Sequence, residues 1–218
     1  MMYNPAAEER IDRLRLVAVI RTDSAEQAAN VGRALLRGGV DAAEITFTVP
    51  DAPDAIRVLA AEWPDRVGAG TVLTANQGEA ALEAGATFLV SPVLVPELAP
   101  LCREAGALAI LGGLTPSEIV AAVRAQADLV KVFPVSALGG LSYVRSVLEP
   151  LPDVAMMVSG GVTREQIGPY LDLGVRSVAL GGSLMPKSLV QAGDWVALER
   201  HAREFAAAVD TAQRGSER

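Results

Sequence analysis

The chain has 218 residues, of which 50% are hydrophobic and 21% charged, a composition typical of a folded globular protein rather than a disordered one. This length fits one large domain or two small ones, and a β/α barrel of this size can be a single domain. The formal net charge of −7 argues against nonspecific binding to nucleic acid or to an anionic membrane. We therefore expect a small-molecule function, with no nucleic acid and no membrane as partner.

Cysteine and histidine are too scarce for the common disulfide and zinc frameworks. Cys102 is the single cysteine, so an intrachain disulfide is excluded, and with His201 as the single histidine a Cys/His zinc cluster is excluded as well. A metal site made only of carboxylates stays open. No run of ~18 apolar residues is free of charge, and the start, MMYNPAAEERIDR, lacks the order of a signal peptide. We expect a cytoplasmic protein.

Eight short apolar runs recur along the chain, each followed by a helix-like segment. In chain order they are LVAVI (16–20), AAEITF (42–47), VGAG (67–70), FLVSP (88–92), LAIL (108–111), LVKVF (129–133), AMMVS (155–159) and SVALGG (177–182). The helix-like segments begin at candidate N-cap residues, namely Ser24, Thr74, Thr115 and Thr163. Glycine follows the last turn in LLRGGV, ALEAGA, CREAGA and LDLGV, where a left-handed residue would end each helix.

This alternation predicts the fold class. Short strands alternating with helices indicate parallel β/α units, and eight such units favour a closed (β/α)8 TIM barrel over an open sheet. No linker or low-complexity segment divides the chain, so we predict one barrel domain over residues 1–218, with an extra N-terminal helix that covers the barrel bottom. Catalytic side chains of such barrels lie at the C-terminal ends of the strands, which makes polar residues there the candidates.

Lysine is rare in this chain, and one lysine lies inside a predicted strand. The basic residues number 19, and lysine stands only at Lys131 and Lys187. Lys131 shares a strand face with Leu129 and Phe133, which would direct its amine into the barrel near the top. A desolvated lysine, unlike arginine, can become the neutral amine that attacks a carbonyl to form a Schiff base. The alternative is a lysine that extends out of the barrel end or pairs with a buried carboxylate.

Glu44 is a second charged residue in a predicted strand. It shares one face with Thr46 and Thr48, while Ile45 and Phe47 share the other. The alternative reading is an edge strand with a solvated polar face, but the strands of a β/α barrel have no solvated face. Glu44 should therefore point into the barrel, where it could meet Lys131 and shuttle protons during carbon–carbon bond chemistry.

Two glycine loops follow the last two strands: residues 159–161, with Ser159, Gly160 and Gly161, and residues 181–183, with Gly181, Gly182 and Ser183. The loops after strands seven and eight of this fold commonly bind phosphate through backbone N–H groups. The alternative is a pair of tight turns without a ligand.

Other residues at strand ends could also contact a substrate. Arg21 ends the first strand, where a guanidinium could hold a carboxylate or phosphate, although it could equally be a surface arginine. Thr71 follows the third strand, and Pro92 ends the fourth. His201 and Cys102 lie in helical segments, and we expect both to pack or face solvent rather than catalyse.

Several of these motifs together resemble one family. In order and spacing, VAVIR, EITFTVPDA, VGAGTVLT, FLVSP, TPSEI, VKVFP and SGGVT resemble the 2-keto-3-deoxy-6-phosphogluconate (KDPG) aldolases, whose members can also cleave 4-hydroxy-2-oxoglutarate (KHG). The resemblance spans residues 17–183. It implies a class I aldolase on a (β/α)8 barrel, without metal or other cofactor, usually a homotrimer, with a phosphorylated 2-keto acid as substrate.

The resemblance also implies residue roles. Lys131 would form the Schiff base and Glu44 would be the general acid/base. Thr71 and Pro92 would line the pyruvate end of the substrate. Phosphate would be bound by Gly160, Gly161 and Ser183.

This sequence departs from the family pattern at three places. Many members have arginine where this chain has Thr48, so Arg21 would hold the carboxylate instead. Val158-Ser159 replaces the usual Pro-Thr and keeps a hydroxyl, while FPVSA replaces the commoner FPAE and is similar to the 6-phosphogalactonate branch.

The expected activity is cleavage of KDPG to pyruvate and glyceraldehyde 3-phosphate, with KHG as a possible further substrate. Cleavage of 2-keto-3-deoxy-6-phosphogalactonate is the alternative within the family. Outside it, the alternatives are a phosphate-binding barrel isomerase or epimerase, and a non-catalytic protein that binds sugar phosphates.

Overall fold

The computed structural model describes residues 5–216, with side chains described over residues 8–211. Eight parallel strands pair in sequence order, and the last strand pairs with the first, which closes a barrel. Helices follow the strands and surround the barrel. The predicted (β/α)8 TIM barrel is therefore confirmed.

The strands are β1 Leu16–Ile20, β2 Ala42–Thr46, β3 Val67–Gly70, β4 Phe88–Val90, β5 Leu108–Gly112, β6 Leu129–Val132, β7 Met156–Ser159 and β8 Ser177–Leu180. The α-helices are α1 Pro5–Asp12, α2 Ala25–Arg37, α3 Ala52–Glu62, α4 Ala75–Glu83, α5 Leu98–Ala105, α6 Pro116–Arg124, α7 Leu141–Leu148, α8 Ile167–Asp172, α9 Lys187–Ala192 and α10 Trp195–Ser216. Short 3-10 turns cover Val135–Leu138 and Arg164–Gln166.

Four strands end earlier than the sequence pattern suggested, and the first of them, β2, ends at Thr46, before Phe47. β4 ends at Val90, before Ser91 and Pro92, and β6 ends at Val132, before Phe133. β8 ends at Leu180, because the two glycines that follow it belong to the next turn. The residues beyond these ends lie in the loops at the barrel mouth, where substrate would bind.

Local sequence signals set where the helices begin and end. The Ser24 and Thr74 hydroxyls accept backbone N–H bonds at the starts of α2 and α4, and Thr115 forms a capping box at the start of α6. Each of the four repeated helix ends contains one glycine with a positive φ angle: Gly39 at 91°, Gly85 at 99°, Gly106 at 67° and Gly174 at 90°. Each one turns the chain toward the next strand.

The barrel interior is apolar at the bottom and polar toward the top. Its apolar cluster contains Val17, Ala42, Phe88, Val90, Leu108, Ile110, Leu129, Met157 and Ala179. Ile11 and Leu14 extend this cluster from the N-terminal segment, as expected of a helix that covers the bottom. Val130 and Val132 of β6 instead pack in the outer core between strands and helices. The alternation predicted for β6 is thereby confirmed.

Two kinds of feature are missing from the residues that the structure describes. Among the helices of residues 5–216, none combines the length and the apolar character needed to cross a membrane. The described side chains also include no group of three or more His, Cys, Asp or Glu residues arranged to hold a metal ion.

Candidate active site

Lys131 and Glu44 meet inside the barrel. The Nζ atom of Lys131 lies 3.5 Å from Oε1 of Glu44, although their strands, β6 and β2, are not neighbours. Glu44 is 0% exposed and Lys131 5% exposed, so the pair is removed from bulk solvent. The pair therefore brings an amine and a carboxyl group together above the apolar layer.

The surroundings of Glu44 shift its protonation equilibrium. Burial raises the pKa of the Glu44 carboxyl above its usual value, while the charges of Lys131 and, more weakly, Arg21 act in the opposite direction. Oε2 of Glu44 is buried and has no hydrogen-bond partner among the described residues. One oxygen thus faces the lysine, and the other is free to bond to a ligand or water.

Gly70 makes space for the Glu44 carboxyl group. A Cβ atom at this position would lie 1.9 Å from Oε1 of Glu44, far inside van der Waals contact. In the register of β2 and β3, Gly68 lies beside Glu44 and Gly70 beside Thr46, so the Glu44 side chain extends along the barrel toward the mouth to reach Gly70. In the sequence, Gly70 appears only as the last residue of the short run VGAG (67–70). The position of Glu44 requires glycine here.

The ends of β1 and β2 are joined by a hydroxyl group. Thr46 Oγ1 donates to the carbonyl of Ile20 at 3.0 Å and lies 2.7 Å from Thr48 Oγ1. Arg21, the next residue after Ile20, is exposed, and its charge reaches Glu44. The site therefore has a guanidinium beside the β1 end and a pair of threonine hydroxyls beside the β2 end.

The amine of Lys131 lies below an aromatic ring at the mouth. Its Nζ atom is 5.9 Å from the ring centroid of Phe133, and Phe133 is 41% exposed. Thr71, which follows β3, is partly exposed. Its φ of 55° is an uncommon backbone conformation for a residue other than glycine. Pro92 contacts β5 closely, since a Cβ at Gly112 would lie 2.3 Å from its carbonyl oxygen. Both Thr71 and Pro92 thus border the barrel mouth.

The first glycine loop packs on the segment that follows Lys131. Gly160 and Gly161 have φ angles of 90° and 76°. A Cβ at Gly160 would lie 2.9 Å from the Phe133 ring, and one at Gly161 would lie 2.1 Å from Ser136 Oγ. Ser136, which sequence reasoning missed, also donates its backbone N–H to the carbonyl of Gly160 at 3.1 Å. The sequence signal for Ser136 was its place in FPVSA, the segment that replaces the commoner FPAE.

The two serines of the glycine loops use their hydroxyl groups within the protein. Ser159 Oγ donates to the carbonyl of Ala179 at 2.9 Å, and Ser183 Oγ donates to the carbonyl of Val162 at 3.1 Å. The backbone N–H groups of Gly161, Gly182 and Ser183 have no acceptor among residues 5–216. Backbone N–H groups, more than hydroxyls, are therefore available to a ligand at these loops.

Cys102 and His201 lie outside the barrel interior, as predicted. Cys102 is buried in α5, where burial raises the pKa of its thiol to about 12 and keeps the thiol protonated. His201 lies in α10, where its ring packs edge-on against Phe205.

Comparison with known proteins identifies the family. The model of the "KDPG and KHG aldolase" family matches residues 7–201. The chain belongs to this family. It is therefore an aldolase, a carbon–carbon lyase, as the sequence motifs predicted.

Individual relatives of known name are also aldolases. A 2-dehydro-3-deoxy-phosphogluconate aldolase from Haemophilus influenzae is 36% identical over 198 residues, which covers 90% of this chain and 93% of that protein. A probable 2-dehydro-3-deoxy-6-phosphogalactonate aldolase from Rhizobium meliloti is 36% identical over 183 residues, covering 82% and 85%. A solved structure is also similar: the crystal structure of a KDPG aldolase from Legionella pneumophila with pyruvate captured as a covalent carbinolamine intermediate. Its TM-score with this chain is 0.82 and its sequence is 26% identical. The match covers 94% of this chain and 99% of that one.

Proposed function

We propose that this protein is a class I aldolase that cleaves KDPG to pyruvate and glyceraldehyde 3-phosphate through a Schiff base on Lys131. The observation that carries the proposal is the buried pair of Lys131 and Glu44, with 3.5 Å between amine and carboxyl, at the C-terminal ends of barrel strands. A phosphate-binding isomerase or epimerase would account for the glycine loops but not for this lysine. A binding protein would need neither of the two residues.

The reaction follows from the chemistry of this pair. The Lys131 amine attacks the C2 carbonyl, and loss of water gives a protonated imine. The imine accepts the electron pair of the C3–C4 bond as Glu44, directly or through water, takes the proton of the C4 hydroxyl, and the aldehyde leaves. Glu44 then returns a proton to C3 of the enamine, and water hydrolyses the imine to release pyruvate and restore the lysine.

The environment of Glu44 suits a group that both accepts and donates a proton. Its raised pKa, caused by burial, lets the carboxyl group hold a proton closer to neutral pH than an exposed glutamate would. The unpartnered Oε2 atom provides the position from which a water or the C4 hydroxyl can be reached. Burial of the pair would also keep bulk water away from the imine.

The remaining candidates divide between the two ends of the substrate. At the pyruvate end we assign the carboxylate to Arg21 and the lining of the pocket to Thr71 and Pro92. At the phosphate end we assign Ser159, Gly160, Gly161, Gly182 and Ser183, with the backbone N–H groups of Gly161, Gly182 and Ser183 as the donors to the phosphate. The open N–H groups of these loops support the second assignment.

The configuration at C4 of the substrate is a separate question. Relatives of this chain include aldolases named for phosphogluconate and for phosphogalactonate, at the same 36% identity. Ser136, in the FPVSA segment that resembles the phosphogalactonate branch, lies against Gly161 at the phosphate end. We propose KDPG as the main substrate, and the phosphogalactonate and KHG are the substrates whose cleavage should be compared with it.

We also propose that the protein is a cytoplasmic homotrimer, on the strength of the family resemblance. Three large apolar side chains are exposed on loops at the mouth side of the barrel and could be covered by another copy: Leu73, Val93 and Leu138, each 45–51% exposed. Light scattering in solution should give three times the chain mass of 22.7 kDa. A mass of one chain at micromolar concentration would contradict the trimer.

Replacing Lys131 with arginine tests the Schiff base by turnover. Arginine keeps the charge and most of the bulk but cannot supply a neutral amine, so Lys131→Arg should abolish pyruvate release from every substrate. Pyruvate release should be measured for KDPG, the phosphogalactonate and KHG, with Lys187→Arg as the matched control that retains activity. An active Lys131→Arg variant, or a wild-type protein that releases pyruvate from none of the three, would contradict the proposal.

Adding one methyl group at Gly70 tests the placement of Glu44. Gly70→Ala should push the carboxyl group away from Lys131 and lower turnover by roughly 10²-fold or more, the same order as Glu44→Gln. Pyruvate release from KDPG is the measurement, and circular dichroism checks that both variants are folded.

A double variant separates this effect from a general loss of structure. If Gly70→Ala acts only by displacing Glu44, the Gly70→Ala/Glu44→Gln protein should be no slower than Glu44→Gln alone. Fully additive losses would show that the methyl group disturbs the site by another route.

A further inference from the structure

The single histidine joins helix α10 to the second glycine loop. His201 Nε2 lies 3.0 Å from the carbonyl oxygen of Ser183. A carbonyl oxygen only accepts hydrogen bonds, so Nε2 carries the proton and donates it. Phe205, one turn further along α10, holds the imidazole ring edge-on with 5.0 Å between the ring centroids. The donor therefore has a defined direction.

This bond fixes one side of a peptide group whose other side is already held. The peptide between Ser183 and Leu184 offers its carbonyl to His201 and its N–H to the carbonyl of Gly181, at 3.0 Å. Anchored on both sides, the peptide cannot rotate without losing a hydrogen bond. The turn from Gly181 to Leu184 is thus held with the N–H groups of Gly182 and Ser183 unpaired among the described residues.

Little else restrains the outer side of this turn. Gly182 is exposed, and no atom lies within 4 Å of the place where its Cβ would be. Ser183 Oγ also donates to the carbonyl of Val162, the residue directly after Gly161, at 3.1 Å. A residue that fixes Ser183 therefore also sets the spacing between the two glycine loops.

The position of α10 does not depend on His201. The helix is docked by the buried side chains of Leu198, Ala202 and Phe205, which are 0–4% exposed. His201 is itself only partly buried, and its hydrogen bond points toward the loop. Its polar contact is therefore separate from the apolar contacts that hold the helix in place.

We propose that His201 is a positioning residue for the phosphate half of the substrate, acting through the Ser183 carbonyl on the N–H groups of the second glycine loop. It touches neither the reacting carbon atoms nor Lys131. The inference rests on the proposed function, in which these N–H groups bind the phosphate. According to this inference, a side chain of α10 contributes part of the affinity for a phosphorylated substrate.

Variants with and without a donor at position 201 test this role. His201→Leu removes the donor and keeps an apolar side chain, whereas His201→Gln can place an amide N–H near the Nε2 position. Arg203→Ala is the matched control, because Arg203 is an exposed α10 residue whose ion pair, with Glu199, stays within the helix. Three quantities are measured for each protein: the KM for KDPG, the Kd for inorganic phosphate, and the exchange of pyruvate methyl protons with deuterium oxide.

Loss of the donor should affect phosphate alone. His201→Leu should raise the KM for KDPG and the Kd for phosphate about tenfold, the loss expected for one well-placed hydrogen bond. His201→Gln should stay within about twofold of wild type, and Arg203→Ala should be unchanged. Pyruvate exchange, which uses the Schiff base but no phosphate, should be equal in all four proteins.

Three results would overturn the inference: an unchanged phosphate Kd in His201→Leu, a parallel loss in pyruvate exchange, or a His201→Gln protein as impaired as His201→Leu. A wild-type protein that binds no inorganic phosphate would overturn it too. Failure of the proposed aldolase function looks different, because wild type would then bind phosphate without exchanging pyruvate protons. In that case the phosphate Kd series alone decides on His201.

Discussion

The arrangement of the site depends on one constraint: the fold buries the Lys131 amine and the Glu44 carboxyl group together. Removing either partner of a buried pair leaves the other uncompensated, typically at about 3–5 kcal/mol. Here Glu44 is fully buried and 3.5 Å from Lys131. The pair is held by strands on opposite sides of the barrel and rests on an apolar interior. Glycine at position 70 leaves the space that the Glu44 carboxyl group occupies.

The same strand that carries Lys131 links the reacting end of the site to its phosphate end. After β6 the chain runs through Phe133, which lies near the amine, and on to Ser136, which packs on Gly161. The first glycine loop is therefore built directly against the segment that follows the lysine. In the second loop, hydrogen bonds from His201 and to Val162 replace side-chain packing. The catalytic pair is thus held by burial in the barrel, while under the proposed function the affinity for phosphate depends on a few hydrogen bonds that can be altered separately.

The architecture could be predicted from the sequence because its signals are local. Short apolar runs, hydroxyl caps at the helix starts and glycines at the helix ends fall where the structure has them. The direction of the Lys131 and Glu44 side chains could be predicted as well. Side chains alternate along a strand, so in a closed barrel each one points either into the interior or toward the helices. What the sequence could not provide is contact between distant segments. The need for glycine at position 70, the packing of Ser136 on Gly161 and the bond from His201 to Ser183 all depend on strand register and on helix docking.

The most direct measurement is to identify the lysine that forms a bond with pyruvate. Borohydride added to the protein with pyruvate reduces an imine to a stable amine, and peptide mass spectrometry then locates the added mass. The account predicts a pyruvate-derived mass on the peptide containing Lys131, and none on the peptide containing Lys187, an exposed residue at the start of α9. An adduct on Lys187 alone, or no adduct in a protein that still releases pyruvate, would contradict the Schiff-base mechanism.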